Sequence, residues 1–278
     1  MTRTLFIVIV STVLLALAAP AEAGRGGSFA KIRSAAEHGN PDAIVAELER
    51  AERIPCSTEC MNYILGLTSH ESYYVRDGAA WWFARHAAQK GALEQRAVAQ
   101  LATGNSIQVR NAADALGRVG HPRDIADLDS ALSRSGIDAE AKVAVARAIG
   151  KIAHISGAGA LEGAMANSSP QVRREAINAW SALLRQSNAA PVAALVTDTD
   201  LSVRRAATQT VGRFRETSAR AALEQLVVSD ADAAVRRNAA WALGRIGDSA
   251  SRTALTTATT DSSSLVRMTA KAALRQLR

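Results

Sequence analysis

VRRNAAWALGRIG, residues Val235 to Gly247, decides the fold. At about 100° per residue on a helical wheel, Val235, Ala239, Ala242, Leu243 and Ile246 cluster on one arc, the spacing of a single buried helix face. Arg237, Trp241 and Arg245 fall on the opposite arc and predict an accessible face. Gly247 predicts the helix stop, because glycine enters the left-handed conformation that ends helices at little steric cost.

The same register recurs on both sides of this stretch. It begins at Val75 (VRDGAAWWFARHA), Ala141 (AKVAVARAIGKIA), Val172 (VRREAINAWSALL), Val203 (VRRAATQTVGRFR) and Val266 (VRMTAKAALRQL), with a copy one residue shorter at Val109 (VRNAADALGRVG). Successive starts lie 34, 32, 31, 31, 32 and 31 residues apart, a period of stacked helical hairpins rather than of a closed globule. On these residues the chain resembles the HEAT-repeat family, in particular the short phycobilisome-lyase-type repeats whose second helix reads V-R-x-A-A-x-A-L-G. The resemblance covers roughly residues 56 to 278 and implies an all-α fold, an α-solenoid of about seven stacked hairpins. It implies no function, since this repeat is a scaffold shared by unrelated proteins.

Composition agrees. Only 4% of residues are aromatic, and β-branched runs bounded by turns are nearly absent, which argues against a sheet. A linear stack also has no upper size limit, whereas 278 residues would strain a single core.

Residues 1–23 read as a secretory signal peptide: Arg3, an apolar run from Leu5 to Ala18, then Pro20 and the small-residue site Ala21-Glu22-Ala23. The run is shorter than the roughly 20 residues that span a bilayer, so cleavage near Ala23 and an exported product, periplasmic or secreted, are expected, with no membrane span left afterwards. Removal takes one basic and one acidic residue, so the net charge stays at +7. A basic surface favours acidic partners, and export makes nucleic acid the least expected of these.

Residues 24–55 are expected to form a linker and a degenerate helical cap. Two helices, Phe29 to Glu37 and Pro41 to Arg53, are broken at His38-Gly39-Asn40-Pro41. The solenoid proper is expected from residue 56 to 278.

Cys56 and Cys60 in an exported chain suggest a disulfide. On one regular helix their Cβ atoms would stand ~5–6 Å apart, beyond the ~3.8 Å of a disulfide, so a bridge requires Cys56 outside the helix. Pro55, Ser57 and Thr58 permit that. Free thiols are the first alternative. A metal would need further ligands, and the spacing matches neither a zinc pair nor a haem attachment motif.

Counting the repeat's Val as position 0, position +1 holds Arg76, Arg110, Lys142, Arg173, Arg204, Arg236 and Arg267. The resemblance implies a structural ladder there, in which each cation pairs with an acidic residue of a turn. Asp200 and Asp232, three residues before their Val, have N-cap spacing.

The binding surface is expected on the accessible arc. Position +10 holds Arg85, Lys151, Arg213 and Arg245, with Arg118 equivalent in the short copy, and position +2 adds Arg174, Arg205 and Arg237. Such positions are also basic for solubility alone. Trp81 and Trp241 at position +6 argue for more, because tryptophan and arginine together are enriched at interface hot spots. Trp82, Phe83 and Trp180 take core positions and are expected to pack.

No G-x-S-x-G, P-loop, dinucleotide fingerprint or H-E-x-x-H is present. Deoxyhypusine hydroxylases resemble this stack but bind two irons through several His-Glu pairs, whereas this chain has one, His70-Glu71. Bilin lyases share the repeat but work inside the cell. The expectation is therefore an exported scaffold or adaptor without a cofactor or catalytic residues, binding a protein partner with an acidic surface. A catalytic or cofactor-handling repeat protein is the alternative.

Overall fold

The computed structural model describes residues 27–183 and 188–277. Residues 1–23, expected above to be a signal peptide, lie outside them. The described residues form helical hairpins in chain order: α1 (Phe29–Glu37) with α2 (Pro41–Arg50), α3 (Thr58–Leu67) with α4 (Tyr73–Arg85), α5 (Ala87–Thr103) with α6 (Ser106–Val119), and α7 (Ile125–Ser133) with α8 (Ala139–Ile152). They continue through α9 (Ala158–Ala164) with α10 (Pro170–Ala182), α11 (Ala190–Ala193) with α12 (Leu201–Phe214), α13 (Arg220–Ser229) with α14 (Ala233–Ile246), and α15 (Arg252–Ala258) with α16 (Ser264–Leu274).

The second helices carry the repeated motif and stack in series, each on the next from α2 to α16. The architecture is an all-α solenoid. The α1–α2 pair packs on α4 as any other layer does, with Ile32, Ile44 and Leu48 fully buried, so the N-terminal cap is itself a hairpin of the stack.

Four motif helices, α6, α8, α12 and α14, start at a side-chain cap. Asp232 accepts from the backbone N–H of Val235 at 2.9 Å, Asp200 from those of Ser202 and Val203 at 2.8 and 3.2 Å, and Asp138 from that of Ala141 at 2.8 Å. These bonds satisfy amides that the helix cannot satisfy itself. At the other end Gly247 closes α14 with φ 79°. The equivalent position in two other repeats holds a non-glycine residue in the same left-handed region, Ala153 and Arg215, each at φ 56°.

The core runs the length of the stack. Val75, Val109, Ala141, Val172, Val203, Val235 and Val266, the position-0 residues, are all fully buried. Trp82, Phe83 and Trp180 are buried too, as expected of packing residues. Between successive motif helices runs a seam of glycine against alanine. A Cβ on Gly150 would stand 2.8 Å from Ala179 Cβ, one on Gly212 2.8 Å from Ala242 Cβ, and one on Gly244 2.7 Å from Ala273 Cβ. Real Cβ atoms do not approach that closely, so the layer spacing depends on these glycines.

The position +1 ladder to a turn aspartate forms in three of the seven repeats. Arg173 donates to Asp198 at 2.7 and 2.8 Å, Arg204 to Asp230 at 2.9 Å, and Arg236 to Asp261 at 2.6 and 2.9 Å. Each also donates to two carbonyls of its own turn, as Arg236 does to Asp230 and Ala231. The partner is the aspartate five residues before the next Val. Asp200 and Asp232 serve as caps instead, because their side chains already hold helix amides. Arg76 departs from this pattern and pairs instead with Asp114 inside α6, their side chains only 6% and 5% exposed.

Cys56 and Cys60 are joined by a disulfide, with Cα atoms 5.4 Å apart. Cys56 precedes α3, and Ser57 caps that helix by accepting from the N–H of Cys60 at 3.2 Å.

Candidate functional site

The accessible face of the motif helices is not one continuous positive strip. Three of its expected cations are held by carboxylates of the preceding or following layer. Arg85 pairs with Glu52 at 2.6 Å, Arg118 with Asp77, and Arg205 with Asp232 through a two-pronged contact at 2.6 and 3.1 Å. In Arg205 the ladder logic extends to position +2: the Asp232 carboxylate caps α14 with one oxygen and takes the guanidinium with both. That contact lowers the Asp232 carboxyl below its ordinary pKa. Exposed pairs of this kind add little to stability, but they cancel charge that a ligand would otherwise feel.

The remaining expected residues divide by surroundings. Lys151 donates to the Tyr73 hydroxyl at 3.1 Å and lies over its ring. Arg213 donates to the Ser181 carbonyl and stacks on Phe214 at 5.0 Å. Arg174 is exposed on α10. Trp81 is only partly exposed and packs against the core, so it presents less surface than its register position predicts.

Trp241 is different. It is 39% exposed on α14 and opens onto a groove of about 310 Å³ shared by three layers. Gln209 of α12, Arg237 and Asn238 of α14, and Thr269 of α16 line the rest of it, with no carboxylate among them. The indole is seated on Gly212: a Cβ there would lie 2.5 Å from Trp241 Cζ3, so a larger residue would push the ring off its seat. Arg245, one turn on, holds its guanidinium carbon 6.0 Å from the indole centroid, within the range of a cation–π contact. Arg237 donates to Asn238 at 3.3 Å and is exposed beside the groove. Arg245 departs from its predicted full exposure. Gly244 lets α16 approach closely, and the Nε of Arg245 is buried as a result.

The histidines do not converge on any shared site. His38 and His86 hydrogen-bond the carbonyls of Ser34 and Trp82, His70 and His154 accept from the N–H groups of Ser72 and Ser156, and His121 meets Lys90. Glu94, Arg123 and Asp124 form a second polar cluster, between α5 and α7. Burial pushes the Asp124 carboxyl up, whereas at Glu94 the Arg123 contact outweighs burial and lowers it.

Comparison with known proteins places this geometry in a class. Residues 188–275 match the family model of HEAT repeats. YIBA of E. coli is similar in fold over 88% of this chain and 92% of its own, at 13% identity and a TM-score of 0.55. An engineered protein is similar over 89% and 78%, at 19% identity and a TM-score of 0.52. The CpcE–CpcF phycocyanin lyase complex from Nostoc aligns over 82% and 97%, at 20% identity and a TM-score of 0.42. No curated protein matches in sequence. Residues 188–275 carry HEAT repeats, and the described chain as a whole is an all-α solenoid.

Proposed function

We propose that this protein is a non-catalytic binding scaffold that seats a segment of an acidic protein partner in the Trp241 groove. One observation carries the reading: a tryptophan held half-open on a glycine seat, between Arg237 and Arg245, in a groove without a carboxylate. A solvated helix face gains nothing from an exposed indole, whereas an interface uses it as an apolar anchor ringed by cations. The described residues contain no helix long and apolar enough to cross a membrane. Export rests on the Ala21-Glu22-Ala23 site, and a mature chain beginning at Gly24 in N-terminal sequencing is its test.

The groove is tested by cross-linking and recovering the tagged protein from its native source, as wild type, Trp241→Ala and Arg237→Glu. An acidic partner should be recovered with the wild type. Trp241→Ala should weaken that binding by about 2 kcal/mol or more, roughly thirtyfold, as at other interface hot spots. Equal recovery by a folded Trp241→Ala variant overturns the reading.

A further inference from the structure

A second cleft, of about 550 Å³, opens at the C-terminal ends of the last motif helices. Arg215, Arg245 and Arg275 line it, one each from the ends of α12, α14 and α16, and no acidic residue among the described residues does. Elsewhere arginines that cross between layers meet an acceptor of the neighbouring layer, a carboxylate for Arg173, Arg204, Arg205 and Arg236 and a carbonyl for Arg96, Arg134 and Arg213. Here three arginines line one cavity, and like charges gathered in one place repel.

Two further features set the cleft apart. The Nε of Arg245 is buried and has no hydrogen-bond partner among the described residues, so this guanidinium is held by no acceptor at its base. Arg215 occupies a left-handed backbone position, φ 56°, which the next repeat fills with Gly247. An L side chain is strained there, and this one brings a third cation to the cleft. Cations at helix C-termini also offset the helix dipole. That effect acts on each helix separately and does not account for three side chains of successive layers meeting in one cavity.

We infer that this cleft binds a phosphate-class dianion. A carboxylate offers two oxygens and one charge, enough for one guanidinium fork. A phosphate offers three or more acceptor oxygens and, above its second pKa near 6, close to two charges, which suits donors arriving from three layers.

Inorganic phosphate is the probe, titrated calorimetrically against chloride at matched ionic strength, with the Arg245 Nε–H resonance followed by NMR. The variants are Arg215→Gln with Arg275→Gln, both exposed and outside the core, so the fold is retained. Wild type should bind phosphate, more tightly at pH 7.5 than at pH 5, and shift the Arg245 resonance. The double variant should bind at least tenfold more weakly. Phosphate that binds no better than chloride, or equally well to the double variant, overturns the inference. Succinate binding as tightly as phosphate overturns the phosphate assignment in favour of dicarboxylates.

Discussion

Gly212 and Trp241 show how one residue's absence of side chain sets another's exposure. The indole lies where a Cβ on residue 212 would be, so Gly212→Val must displace it or spread α12 from α14. Overpacking of this kind costs about 1–3 kcal/mol. The expected outcome is a melting temperature lowered accordingly, together with a shift of the Trp241 signal in a 19F-indole spectrum. A shift in stability with an unmoved Trp241 signal would show that the ring does not rest on Gly212. The same residue scale explains why Arg245 departed from its register: the neighbouring glycine draws α16 in and encloses the base of the side chain.

At the scale of the element, α10, α12 and α14 are each tied to the next hairpin by an arginine that bridges two turns. Asp261 illustrates the electrostatics. Its hydrogen bonds from Arg236 and from the N–H of Ser263 outweigh burial and hold its carboxyl below the ordinary value. At Asp198 burial pushes up, yet the Arg173 and Asp200 hydrogen bonds win and the carboxyl is again lowered. A carboxyl whose folded pKa is depressed stabilises the fold above its unfolded value, near 3.9, and loses that contribution as pH falls through the folded value. Asp261→Asn should therefore lower stability at pH 7 by about 1–3 kcal/mol, the range for a hydrogen bond to a charged group. The difference from wild type should begin to shrink below about pH 4 and vanish only as pH falls through the depressed folded value, where the wild-type carboxyl is itself protonated. A constant difference across that range, measured by thermal denaturation, would show that the rung acts through packing and not charge.

Across the described residues, backbone packing runs chiefly between adjacent hairpins, with the Lys151–Tyr73 contact reaching one layer further, so stability is largely a chain of nearest-neighbour terms. Leu243 is fully buried in α14. Leu243→Asp places an unpaired charge there and should cost several kcal/mol. Hydrogen exchange should show lost protection in α12 to α16 first, with α2 to α8 still protected. Uniform loss along the chain would mean that the stack unfolds as one unit.

The sequence by itself determined the repeat, its period, the buried face of each motif helix and the separate fate of Trp82, Phe83 and Trp180. Those follow from helical spacing within ten or so residues, which a single chain segment displays. It also supplied the candidate cations, because charge is written in composition. Only the tertiary structure decided which of them are free. Arg85, Arg118 and Arg205 are cancelled by Glu52, Asp77 and Asp232 from other layers, partners 27 to 41 residues away whose proximity depends on how hairpins stack. Arg215 and Arg275 were outside the expected register positions, +12 and +9 where +10 was read, and their meeting with Arg245 exists only because three helix ends converge on one cleft. Side-chain periodicity reports what faces a core; it carries no signal for what faces a neighbour across a groove.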